Sequence, residues 1–130
     1  MKLDFTSLEK AVASLEKAVK RSILDKNDEE LRDAVIQRFE FSYELACKMI
    51  RRNLENMSDN PEEIDRLNYN DLIRVAAEKG LIGNVHNWFD YRRKRNISSH
   101  TYDQAQAHEV YVAALLFLDD IKQLMEIFKK

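Results

Sequence analysis

The stretch Val35–Leu54, VIQRFEFSYELACKMIRRNL, decides the fold. Ile36, Phe39, Tyr43, Ala46 or Cys47, Ile50 and Leu54 recur at three- and four-residue intervals, which places them on one stripe of an α-helix. Another face carries Glu40, Glu44, Lys48 and Arg52, and Glu44 and Lys48 have the spacing of a helical i,i+4 ion pair.

The same period extends outward. Upstream, Phe5, Leu8, Val12, Leu15, Val19 and Ile23 form a second stripe, and Thr6 with Glu9 has the spacing of a capping box at its start. Asn27 and Glu30 mark the turn into the Val35–Leu54 helix. Downstream, Ser58-Asp59-Asn60-Pro61 breaks that helix, with Asn60 as a cap and Pro61 in the first turn of a short helix. Asn70 is the expected cap of a helix over Asp71–Lys79, which Gly80 ends. Gly83 and Asn84 open a helix containing Val85, Trp88 and Phe89. Asp103 and Gln106 start the last one, which runs to the C-terminus. There Val110, Ala114, Phe117, Ile121, Leu124 and Phe128 form one stripe, and Tyr111, Leu115 and Leu118 an adjacent one. A helix apolar over so much of its surface needs two partners. One is the core. The other is either a second copy of the chain, which we favour, or the helix's own neighbours. The expected fold is all-α: an antiparallel up-and-down bundle of four main helices plus short ones, a single domain over residues 1–130.

Composition narrows the function. With 45% hydrophobic and 34% charged residues the chain supports a core under a charged surface. Its net charge of -2 gives no reason for general nucleic-acid binding, so any anion site is a local patch. The single cysteine, Cys47, excludes an internal disulfide and a cysteine-based zinc cluster. The N-terminal MKLDFTSLEK lacks an apolar signal-peptide core. The longest apolar run, Val110–Leu118, is about half a membrane span. These features read as a soluble cytoplasmic protein with no membrane partner.

The positive charge gathers at Arg92–Asp103, RRKRNISSHTYD. Cations near a helix C-terminus complement its dipole, which accounts for part of the cluster. If the chain turns at Asn96-Ile97-Ser98-Ser99, Arg95 and His100 converge on one anion. Arginine grips phosphate bidentately. Histidine, with a pKa of about 6.5, exchanges a proton at neutral pH. Together they suffice for metal-free RNA cleavage by the ribose 2′-hydroxyl. A capping or core histidine is the commoner outcome of such spacing. Arg92, Arg93 and Ser99 are further candidates for holding a substrate. His86, His100 and His108 do not suggest a metal site, and no cofactor is expected.

Arg95–Tyr102, RNISSHTY, matches the R-x-x-x-x-H-x-Y signature of HEPN-domain proteins. With Trp88, Asp90, Ser99 and Asp103 around it, and with Val35–Lys48, it resembles the nucleotidyltransferase substrate-binding proteins, the HEPN partners of minimal nucleotidyltransferases. The resemblance spans essentially the whole chain. Cys47, where relatives often carry a larger apolar residue, departs from it in packing only. It implies a dimeric helical bundle and a small nucleotidyltransferase partner encoded nearby. It also implies Arg95 as the phosphate-binding group, His100 as the acid/base and Asn96 as an orienting residue. Tyr102 would be the acceptor of AMP. The expected activity is that of an RNase toxin silenced by AMP transfer. The alternative is a non-catalytic subunit that binds a nucleotide or acceptor for the transferase. The chain is not itself the transferase, because it has neither a Gly-Ser pair nor Asp-x-Asp.

Overall fold

Six helices follow one another in the computed structural model, which describes residues 3–98 and 103–130: α1 Thr6–Leu24, α2 Glu29–Met57, α3 Pro61–Asp65, α4 Tyr69–Glu78, α5 Val85–Ser98 and α6 Gln104–Lys129. The apolar stripes explain their packing. Leu8, Val12, Leu15 and Val19 of α1 are buried with Val35, Phe39, Tyr43, Ala46, Ile50 and Leu54 of α2. Ile23, expected to continue the first stripe, is half exposed, and Ser22 is buried in its place. The Ser22 hydroxyl meets the Tyr111 hydroxyl of α6 at 2.8 Å, a polar tie in the position an aliphatic side chain would have filled.

Helices α1 and α2 form an antiparallel hairpin. The Arg38 guanidinium donates to the Ser14 carbonyl at 2.9 Å, and the buried Ser42 hydroxyl lies 3.2 Å from the Ala11 carbonyl. Arg51 holds the α3 end in place through the carbonyls of Ile64 and Leu67, at 2.8 and 3.3 Å. Helix α6 packs on α1, α2 and α5. Val110, Ala114, Phe117, Ile121 and Leu124 of its first stripe are fully enclosed, whereas Val112 and Leu116 stay half exposed.

An aromatic knot joins the layers. The Phe117 ring stands edge-on to Phe39 and Tyr91, each at 5.2 Å between centroids, and to Trp88 at 5.8 Å. Edge-to-face pairs of this kind add about 0.5–1.5 kcal/mol beyond area burial. Because Trp88 and Tyr91 anchor α5 here, its polar C-terminal half is carried out over α2. Asp120 of α6 accepts from the Tyr91 hydroxyl and, at 3.2 Å, from the Asn87 amide, which sets the rotation of α5.

The caps fall close to the expected places, with shifts. Thr6 is the first helical residue, not the cap: its N–H donates to Asp4 at 2.9 Å. Asp28 caps α2 in place of Asn27, and Asn68 caps α4 in place of Asn70. Asn60 precedes Pro61 as expected but makes no side-chain cap bond. Gly80, at φ 80, closes α4. Its N–H reaches the Ala77 carbonyl and the Leu81 N–H reaches Ala76, the paired bonds of a glycine-closed helix end. Asp103 caps α6 as read from the sequence, accepting from Ala105 and Gln106. No described helix is long and apolar enough to cross a membrane.

Candidate functional site

Helix α5 does not stop at Asn96. It continues through Asn96 and Ile97 to Ser98, whose hydroxyl donates to the Arg95 carbonyl at 2.8 Å. No glycine or proline interrupts the run, and Ile97 packs against the core. The expected turn over Asn96–Ser99 is therefore helix for its first three residues, and Arg95 projects from a rigid element, not from a polar turn. Ser99, His100 and Tyr102 lie outside the described residues.

The helical period sorts the cations. Arg92 and Arg95 are i,i+3 neighbours and share a face with Trp88. Arg93 and Asn96 share the next face. The Arg92 guanidinium lies 4.8 Å from the centroid of the Tyr69 ring on α4, a cation–π contact. Arg93 pairs with Asp90 at 2.6 Å, and Lys94 bridges Asp90 and Glu109, each at 3.7 Å. Arg95 reaches across to Glu44 of α2. Glu44 therefore pairs between helices, where the sequence pointed to Lys48. Of the candidates Arg92, Arg93, Arg95 and Asn96, the structure brings Arg92 and Arg95 to one face and sets Arg93 aside.

The Arg95 guanidinium is incompletely satisfied. Its Nε is buried and has no hydrogen-bond partner. Glu44 meets the guanidinium at a terminal nitrogen, so a phosphate gripping that edge bidentately must displace the carboxylate.

Beside it, a cleft of about 230 Å³ opens between α2, the end of α5 and the start of α6. Its floor is Ile36, Ile97 and Val110, and its polar wall is Asp33, Gln37, Glu40, Ser98 and Gln106. The Gln106 side-chain oxygen is buried without a partner. Sequence reasoning had Gln106 only as part of a helix start and Glu44 only as half of a local pair. It missed Asp33 and Gln37, because nothing local marks a residue that faces a cleft between helices distant in sequence.

The cluster behind the site is apolar chemistry, not catalysis. Burial pushes the Cys47 thiol up to about 11 and raises the Tyr43 and Tyr69 phenols as well, so all three are neutral near pH 7. The Tyr69 hydroxyl donates to the Trp88 carbonyl at 2.9 Å. Among the described residues, no three His, Cys, Asp or Glu side chains group so as to hold a metal ion. His86 and His108 are exposed.

The chain can be placed among known proteins. It is 38% identical over 134 residues to the Haemophilus influenzae protein named "Probable ribonuclease HepT", covering 96% of this chain and 91% of the relative. A solved Haemophilus influenzae structure, described as the fold of a substrate binding domain of a nucleotidyltransferase, superposes with a TM-score of 0.91. It is 36% identical and covers 98% of this chain and 100% of its own. A Thermus thermophilus structure shares the fold at a TM-score of 0.80, with 24% identity over 95% of this chain and 99% of its own. The family model described as "Nucleotidyltransferase substrate binding protein like" matches residues 3–130. The chain belongs to this family of nucleotidyltransferase substrate-binding-like proteins, as its helix order and Arg95 segment implied.

Proposed function

We propose that the protein is the HEPN partner of a minimal nucleotidyltransferase encoded nearby and acts in the cytoplasm as a metal-independent RNase toxin. The transferase silences it by attaching AMP to Tyr102. The observation that carries this reading is Arg95: a rigidly mounted guanidinium with an unmet buried donor, five residues before His100. The name of the Haemophilus relative supports it. In the reaction His100 takes the proton from the ribose 2′-hydroxyl. The oxygen attacks the adjacent phosphorus, the P–O5′ bond breaks as the 5′-oxygen takes a proton from water, and a 2′,3′-cyclic phosphate remains. Arg95 stabilises the charge that develops on the phosphoryl oxygens, and Asn96 orients one of the two. In silencing, the Tyr102 oxygen attacks the α-phosphorus of ATP and pyrophosphate leaves. The added phosphate and nucleoside then block RNA by bulk and like charge.

A homodimer fits this reading. The half-exposed Val112 and Leu116 of α6 and Ile23 of α1, with the exposed Leu24, offer an apolar surface for a second copy. Two Arg95 segments facing one cleft would concentrate positive charge that the single chain lacks. Sedimentation at micromolar concentration checks it.

One observation favours a second reading. Glu44 holds Arg95, and Asp33 and Glu40 line the neighbouring cleft, so carboxylates ring the site. A subunit that holds a single nucleotide or a small acceptor for the transferase meets less repulsion from these carboxylates than a long RNA strand does. The test is cleavage of RNA by the purified chain in chelator, with His100→Ala and Arg95→Ala. Both variants should be inactive yet folded. Mass measurement after incubation with the transferase and ATP should show added AMP on the parent and none on Tyr102→Phe. No cleavage and no mass change would leave the substrate-binding subunit.

A further inference from the structure

Most described cations away from the α1–α2 hairpin are neutralised. Arg66, Arg74, Arg93, Lys94, Arg95 and Lys122 each lie against a carboxylate. The outer face of the hairpin is the exception. On α1, Lys10, Lys17 and Arg21 repeat at helical spacing with Ser7 and Ser14. On α2, Arg38, Lys48 and Arg52 repeat with Leu45, and Glu44, which pairs with Arg95, borders them on one side. Among the described residues none of these six cations pairs with an acid. In their midst stands Phe41, 59% exposed on a continuous helix. It borders a shallow groove with Lys10, Ser14, Gln37 and Arg38. Gln37 also lines the cleft beside Arg95, so groove and cleft border one another at that side chain.

We infer that this face binds a stretch of single-stranded RNA, with Phe41 as a platform for one base and Lys10, Arg38, Lys48 and Arg52 as phosphate contacts. The inference rests on RNA being the ligand of the adjoining cleft and names where the strand runs beyond it. An exposed ring stacks on any base, and cations alongside it follow the backbone; this pairing is how sequence-tolerant single-strand binders work. From Arg38 to Arg52 the helix rises about 21 Å, long enough for several nucleotides. The bond from Arg38 to the Ser14 carbonyl fixes its guanidinium at the groove and leaves further N–H donors for a phosphate. A protein partner fits less well. The centres of protein interfaces are poor in charge and in lysine, and here a lone exposed aromatic shares its groove with Lys10 and Arg38.

The test uses the full chain and a fluorescent, uncleavable 2′-O-methyl oligoribonucleotide, with binding followed by anisotropy. The parent should bind with strong salt dependence. Phe41→Ala should weaken binding roughly five- to a hundredfold with an unchanged melting curve, and Phe41→Trp should restore it. Lys10→Gln with Lys48→Gln should flatten the log–log salt slope by about 1.4, at about 0.7 per lost phosphate contact on a single strand. Phe41→Ala binding as tightly as the parent overturns the track while leaving cleavage by Arg95 and His100 intact. So does unchanged RNA binding in a Phe41→Ala variant that has lost its dimer or its grip on the transferase, since the face would then be a protein interface. A parent that neither binds the oligonucleotide nor cleaves RNA overturns the RNase reading, and this one with it.

Discussion

Replacing Glu44 by glutamine tests whether the Arg95 guanidinium is held in reserve for phosphate. The Arg95 and Glu44 side chains are 35% and 48% exposed, so their attraction is screened by water. Pairs of this exposure contribute about 0.2–1 kcal/mol. Glu44→Gln should therefore cost the fold less than about 1 kcal/mol, a drop in Tm of no more than roughly 3–5 °C for a chain of this size. The same energy opposes any phosphate that must displace the carboxylate. Its removal, with the loss of one negative charge beside the site, should tighten binding of the uncleavable oligoribonucleotide about two- to fivefold at low salt. The gain should fade as salt rises, because it is electrostatic. In an Arg95→Ala background Glu44→Gln should give much less of it, since no guanidinium is left to release. The assay is anisotropy on the four proteins of that cycle. Weaker binding by Glu44→Gln would refute the argument and make Glu44 a group that positions Arg95. An equal gain with and without Arg95 would show that only net charge matters.

Phe117 is fully buried among four aromatic rings, so Phe117→Ala should cost roughly 3–5 kcal/mol in urea unfolding; a loss under about 1 kcal/mol would place the ring outside the core. The buried Tyr43 hydroxyl makes no well-formed hydrogen bond and has only the Tyr69 hydroxyl and the Cys47 thiol near it, so Tyr43→Phe should leave stability unchanged or raise it, and a clear loss would show that one of these contacts is a bond. Stability should also fall in alkali. Burial moves the Cys47 thiol from 9.0 up to about 11, so the native state keeps a proton that the unfolded chain releases earlier. That contribution is intact below pH 9 and is lost as pH climbs towards 11, about 2–3 kcal/mol in all. The buried Tyr43, Tyr69 and Tyr91 phenols shift the same way and steepen the loss above pH 10. Denaturant midpoints for the parent and Cys47→Ala should converge between pH 9 and 11, and parallel curves would show that the thiol is not the cause.

What the sequence reveals about this protein follows from the range of the interactions involved. Helix period is a local property, so the Val35–Leu54 stripe and the paired stripes of α6 could be read directly. Phe39, Tyr43, Phe117 and Ile121 are buried where that period puts them. Caps are local but degenerate: Asn27 and Asp28, or Asn68 and Asn70, bond an N-terminal N–H equally well. The choice between them depends on where the neighbouring helix ends. The break expected at Asn96 fails for a tertiary reason. Trp88 and Tyr91 lock α5 into the aromatic knot and Ile97 packs on the core, which favours helix through residues whose propensity for it is only moderate. Glu44 shows the limit most clearly. It has a suitable cation four residues on, at Lys48, and another fifty-one residues on, at Arg95, and it takes the distant one. The packing of α5 across α2 selects that partner, and the same packing opens the Asp33–Gln106 cleft beside it. The Arg95 segment can be recognised in the chain alone, but the carboxylates that restrain it and the basic face that adjoins it exist only once α1, α2 and α5 are assembled.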